Sequence, residues 1–160
     1  MLVKDVMRRQ VITVKESTTL KELMRIFQKY PFHHLPVVKE DGTVVGIVAL
    51  EDILKIFEPF PPYLMEMLRR NPFYTETEPE ETNLFKVDLP PEMGVLCVAE
   101  DLMNMNVVTI KEDATAMEAL SRIRSYNLKT LPVVDEDGRL QGIVNLFDIL
   151  MGVLKEKGIF

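Results

Sequence analysis

The chain writes one phrase twice. GIVALEDIL spans 46–54 and GIVNLFDIL spans 142–150. Sliding the sequence on itself by 96 positions brings Asp5 onto Asp101, Met7 onto Met103, Thr13 onto Thr109 and LPVV (35–38) onto LPVV (131–134), without a gap. The same offset carries EDG (40–42) onto EDG (136–138), and 23 of the 50 positions from Asp5 to Leu54 are identical. A duplication of this strength constrains the fold more than any other feature: whatever one unit of about 55 residues forms, the chain forms twice.

The unit can be read along its length. Val11–Val14 is a β-rich run, expected to be extended. Thr19 with Glu22 makes a capping box, repeated as Thr115 with Glu118. Leu20, Leu23, Met24 and Phe27 follow at helical spacing, as do Ala116, Ala119, Leu120 and Ile123. The first of these helices should end near Pro31 and the second near Asn127. LPVV is then a short buried strand, EDG a turn, and Val44–Val48 a second strand, giving a hairpin. Glu51–Phe57 reads as a second helix, its acids suited to the positive end of the dipole. The unit is β-α-β-β-α, and the fold class is α+β.

Two helices and three short strands bury little alone. Two units are therefore expected to cover each other's apolar faces as a pseudo-twofold pair. The divisions fall at 1–57 for the first repeat, 58–98 for an insert and 99–160 for the second repeat. The insert holds seven of the ten prolines, and its middle, TETEPEET (75–82), is expected to be a solvated loop. Within it, Leu64, Met67 and Leu68 share one helical face over 63–70, which suggests a short packing helix.

Charge and motif content exclude several functions. The net charge is −6 and no basic stripe is present, which argues against nucleic acid and against an anionic membrane surface. Apolar runs are too short to span a bilayer. The single cysteine, Cys97, forbids an intrachain disulfide, and no secretory leader opens the sequence, so a cytoplasmic location is expected. No nucleophile elbow, P-loop lysine or metal cluster appears, so an enzyme is not expected. His33 and His34 are the only histidines; adjacent on an extended segment they face opposite ways, and no metal site is expected.

The order DVM, VITV, a helix, LPVV, EDG and G-I-V-x-L-x-D-I-L resembles the CBS domain, and two in tandem resemble the CBS pair, or Bateman module. The resemblance covers both repeats, about two thirds of the chain, and leaves out the insert. It implies a regulatory sensor with no obligatory cofactor. Such pairs bind adenosine-containing ligands, such as AMP, ADP, ATP or S-adenosylmethionine, in clefts between the repeats. They commonly form disk-like homodimers and regulate an enzyme, channel or transporter. No such effector domain is visible in this sequence, so the expected effector is a separate protein.

The family's last motif is Gly, two apolar residues, Thr or Ser, two variable positions, then Asp, and its acid holds the ribose. Asp52 and Asp148 match it. A carboxylate suits a cis-diol because it accepts two charge-assisted hydrogen bonds; the competing reading is that each Asp caps a helix. The hydroxyl position departs from the pattern, with Ala49 in the first copy and Asn145 in the second. Ala49 cannot donate and Asn145 can, so the second cleft is the better candidate for a phosphorylated ligand. Thr13 and Thr109 match the first-strand hydroxyl residue near the base and sugar. Ile12 and Val108 would meet the purine. His34 with Leu35, and Thr130 with Leu131, would line the pockets, with Lys129 and His33 within reach of phosphates. Gly46 and Gly142 would permit a close backbone approach. The alternative function is a structural or protein-interaction module with degenerate, empty clefts, docking through the insert.

Overall fold

The computed structural model describes residues 1–54, 67, 70–73 and 88–160. Its elements run α1 (Val3–Val6), α2 (Leu20–Lys29), β1 (His34–Val38), β2 (Val44–Ala49), α3 (Leu50–Ile53), α4 (Met93–Leu96), α5 (Ala99–Leu102), β3 (Ile110–Lys111), α6 (Ala116–Ser125), β4 (Leu131–Val134), β5 (Leu140–Val144) and α7 (Leu146–Glu156). The mixed α+β class and the two repeats agree with the sequence reading. The expected insert helix over 63–70 lies outside the described residues except for Met67 and Arg70, and the acidic stretch 75–82 lies wholly outside them.

Local chemistry sets the helix starts. Thr19 Oγ1 accepts from the Glu22 N–H, and Glu22 Oε2 accepts from the Thr19 N–H. Thr115 and Glu118 do the same before α6. Each reciprocal box satisfies two backbone donors that a helix start would otherwise leave unpaired. α2 stops two residues before Pro31, and α6 stops two before Asn127, whose φ is +50°.

The hairpins form as read. β1 and β2 pair antiparallel with Leu35 opposite Val48, and β4 and β5 with Leu131 opposite Val144. Both irregularities in register fall at the same place, after Val37 and after Val133. Gly42 and Gly138 close the turns at φ +88° and +79°, a region that side chains with a Cβ avoid. The hairpin tips also meet: Val44 N–H donates to Gly138 O at 3.1 Å and Leu140 N–H to Gly42 O at 2.9 Å.

The first strand is shorter than the sequence suggests. Of Val11–Val14 only Val14 pairs, in a lone parallel bridge with Val37. Its second-copy counterpart is the two-residue β3, parallel to β4. The cause is the route of the preceding segment. Arg8 pairs with Ile143, in the other repeat, and the chain must travel back before it can join its own sheet.

That route also produces an exchange between the halves. Val3 and Met7 belong to the core of the second repeat, with Ile110, Ala119, Leu131, Val133 and Val144. Cys97, Ala99 and Leu102 belong to the core of the first, with Val14, Leu23, Leu35, Val37 and Val48. At about 1.5–3 kcal/mol per buried side chain the size of Val, Leu or Met, these anchors hold each half to the other. The short helices α1 and α5, one before each repeat's extended run, were not expected from the sequence. Four residues cannot sustain a helix alone; they are helical because the opposite core takes their apolar side chains.

Candidate ligand-binding clefts

Asp52 lies at the third position of α3, immediately after β2. Its Oδ2 accepts from the Ala49 N–H at 2.8 Å, and the residue is 8% exposed. Asp148 holds the same place in α7, and its Oδ2 accepts from the Asn145 N–H at 2.9 Å. Both acids therefore do the capping duty. Asn145 completes the box, since its Oδ1 accepts from the Asp148 N–H at 2.9 Å. That bond leaves the Asn145 amide nitrogen as an unspent donor among the described residues. Ala49 has no side-chain acceptor with which to reciprocate.

A cavity of about 340 Å³ opens beside Asp52, and both repeats build it. The first repeat contributes His34, Ile47, Ala49, Glu51 and Asp52; the second contributes Asn104, Asn106, Val107, Val108 and the run Tyr126–Thr130. Five of the residues singled out in the sequence thus converge: Asp52, His34, Val108, Lys129 and Thr130. Val108, Lys129 and Thr130 come from the second copy, yet they serve the acid of the first. This cavity borrows one wall from each repeat, in keeping with the exchange of α1 and α5.

Two features give this cavity a chemical bias. The Thr130 hydroxyl is buried and has no hydrogen-bond partner, the only such side-chain polar atom among the described residues. An unpaired buried hydroxyl carries a desolvation cost. His34 Nε2 also stands 3.4 Å from Glu51 Oε1 at the cavity wall.

The remaining residues lie elsewhere. Leu35 and Leu131 are fully buried and sit in the two cores, so neither is a pocket wall; both their strands are covered, and a leucine at that register points inward. Thr13 lines a separate hollow of about 250 Å³ with Arg9, Val11, Gly42 and Gln141. Thr109 is not part of the Asp52 cavity, and its carbonyl receives the Arg122 guanidinium. Ile12, the counterpart of Val108, is 36% exposed. Asn104, Asn106 and Tyr126 are cavity residues that the sequence reading missed. Asn104 and Asn106 follow the DLM run of the second copy, the counterpart of DVM in the first, but nothing in a single chain shows that the run crosses to the first.

At the second acid a cation intervenes. Arg8 Nε lies 3.2 Å from both Asp148 oxygens. A wider hollow of about 680 Å³ is lined by Lys15, Lys39, Glu16, Glu40, Asp41 and Glu100. Its charges are partly spent on one another: Lys15 Nζ donates to Lys39 O and stands 3.9 Å from Glu40. Burial pushes the Cys97 thiol up, assisted by the nearby Asp101 charge, which makes it a poor nucleophile. Among the described residues no three His, Cys, Asp or Glu side chains gather as a metal-holding group, and no helix is long and apolar enough to cross a membrane.

The glycines of the repeated phrase now have a reason. A Cβ on Gly46 would stand 2.5 Å from Met103 Sδ, and one on Gly142 would stand 2.6 Å from the Arg8 carbonyl oxygen. The segment crossing from the opposite repeat lies directly on each glycine.

Comparison with known proteins agrees with this architecture. Residues 3–59 and 98–155 match the CBS domain. A CBS domain-containing protein of Dictyostelium discoideum is 32% identical over 158 residues, covering 96% of this chain and 94% of its own length. The CBS-pair protein CBSX2 of Arabidopsis thaliana superimposes with a TM-score of 0.72 at 22% identity, covering 98% of this chain and 96% of that one. The CBS domain pair of protein MJ0100, solved with 5′-methylthioadenosine and S-adenosyl-L-methionine, gives a TM-score of 0.64 at 26% identity, with 98% of each chain covered. Two matched repeats, each lending a helix to the other's core, make this chain a member of the CBS-domain family in the form of a tandem pair.

Proposed function

We propose that the chain is a regulatory module that binds adenosine-containing compounds (AMP, ADP, ATP or S-adenosylmethionine) in its inter-repeat clefts and passes occupancy to a separate partner protein. The observation that carries this reading is the cavity at Asp52. It is walled by both repeats, places Asp52 opposite Val108, Lys129 and Thr130, and lies within the usual size range of about 300–1,000 Å³ for ligand sites. A ligand touching both walls binds best to one relative placement of the repeats. It therefore shifts their equilibrium by its difference in affinity between placements. The adenosine class is supported by the solved pair that holds two adenosine-containing compounds.

Self-association as a homodimer belongs to the same proposal. Leu146, Phe147 and Leu150 of α7 are each more than half exposed, an apolar set that a second copy would cover. Sedimentation should report twice the chain mass, and Phe147→Glu should return it to the monomer.

Thermal denaturation with each compound tests ligand binding. At 100 times Kd the stabilisation is about 2.7 kcal/mol. Asp52→Ala should abolish it for a ligand of the first cleft. An unchanged melting temperature with every compound would remove the receptor reading. A second reading, an interaction module with degenerate clefts, is favoured by Ala49 in the hydroxyl position and by the Arg8 contact on Asp148. It predicts partner capture that ignores nucleotide entirely.

A further inference from the structure

Both repeats end their first long helix on a tyrosine, and they treat its ring differently. Tyr30 and Tyr126 are related by the 96-position repeat. Pro31 follows Tyr30, and a proline disfavours the helical region for the residue before it; Tyr30 is extended, at ψ 147°. Its side chain lies on the same side as that of Phe32, two residues on. The two rings stack with centroids 5.2 Å apart and planes 10° from parallel. Phe32 is anchored in turn against the first core. In the first copy the tyrosine face is therefore covered from within the chain.

The second copy has Asn127 for Pro31 and Leu128 for Phe32. Asn127 takes φ +50°, which proline cannot adopt. The helix then closes with Leu128 N–H donating to Ile123 O at 2.9 Å and Asn127 N–H to Arg124 O at 3.3 Å, the paired bonds of a Schellman ending. Leu128 packs against the second core, to which Ile123 belongs. The residue in the place of the stacking partner is thus aliphatic and drawn inward. Tyr126 is left 62% exposed, with no stacked ring among the described residues, on the wall of the Asp52 cavity.

We propose that Tyr126 is the stacking platform for the aromatic base of the ligand in this cavity, filling its open face with the ligand as Tyr30 fills its own with Phe32. This rests on the nucleotide reading above. A flat base laid on the ring removes two apolar faces from water and adds the offset-stacking attraction between π-systems. Stacking of this kind accepts any base, because every base has a π-face. Tyr126 therefore holds the base, and the polar groups of the wall choose among bases.

Tyrosine fluorescence of the full chain reads the contact, since the chain has four tyrosines and no tryptophan. AMP and S-adenosylmethionine are the probes, and they share one base. Binding of either should quench the emission of the wild type and of Tyr30→Phe. Tyr126→Phe should keep the calorimetric affinity and lose the quench. Tyr126→Leu, which keeps bulk but has no π-face, should weaken binding about tenfold or more. The position is exposed, so neither change empties a core, and circular dichroism confirms folding. If Tyr126→Leu binds as tightly as the wild type, or the quench survives in Tyr126→Phe, the role of Tyr126 is overturned while nucleotide binding stands. If the wild type binds neither compound at millimolar concentration, the nucleotide reading fails and this assignment with it.

Discussion

The surroundings of Asp52 and of Asp148 are built from one repeated sequence, and they differ where the repeat has drifted. Asp52 faces a cavity with Ala49 at the helix start and Asn104 on the opposite wall. Asp148 has Asn145 at its helix start and Arg8 upon it. The backbone scaffold is the same, down to the shared hairpin irregularity and the crossing strand segment. Scaffold positions answer to packing, which a neighbour of the wrong size disrupts at once. Cleft positions answer to solvent or ligand, and so they can diverge while the fold persists.

The largest effects should confirm the symmetry. Leu35→Ala and Leu131→Ala each empty a fully buried place, and each should cost about 2–5 kcal/mol in urea unfolding. A gap between the two costs wider than that range would show that the cores are not equivalent. The glycines should then break the symmetry. Gly142→Ala drives a Cβ against the Arg8 backbone oxygen, which cannot yield without moving the chain, and should cost about 1–3 kcal/mol. Gly46→Ala meets the flexible Met103 side chain and should cost less.

Smaller changes sharpen the contrast between clefts. Asn145→Ala removes a helix cap that the first copy already lacks and should cost about 0.5–2 kcal/mol. Thr130→Val should leave the ligand-free protein as stable as before or better, by up to about 1 kcal/mol. The same variant should lose much of the thermal shift given by a first-cleft ligand. Those opposite signs separate a binding residue from a structural one.

The smallest effect is in acid. The Thr115 backbone N–H, then its hydroxyl, hold the Glu118 carboxyl below its ordinary value. Because the folded value is the lower one, this stabilisation is present above the unfolded value and lost as pH falls through the folded one. Glu118→Gln should flatten the melting temperature over that acid interval and leave it nearly unchanged at neutral pH.

Most of the scaffold could be read before any coordinates. The capping boxes at Thr19 and Thr115, the hairpins from LPVV, and the turns at Gly42 and Gly138 all depend on interactions within a few residues. The strand expected over Val11–Val14 reduced to one bridge because its preceding segment is held by the other repeat. The place of LPVV beside the cleft suggests that Leu35 and Leu131 are half core and half pocket wall; the register turns both fully into the core. Val108, Lys129 and Thr130 line one cavity with Asp52, a pairing that is not visible in the sequence because it joins residues more than fifty positions apart.

The sequence by itself determined the duplicated unit, its α+β elements, the caps and the two acids at equivalent helix starts. These follow from periodicity and short-range hydrogen bonding, which act along the chain. Only the tertiary structure decided which wall faces Asp52, that α1 and α5 exchange cores, and that the Arg8 guanidinium rests on the Asp148 carboxylate. Those outcomes depend on the path by which distant segments cross, and that path is selected by burial across the whole molecule.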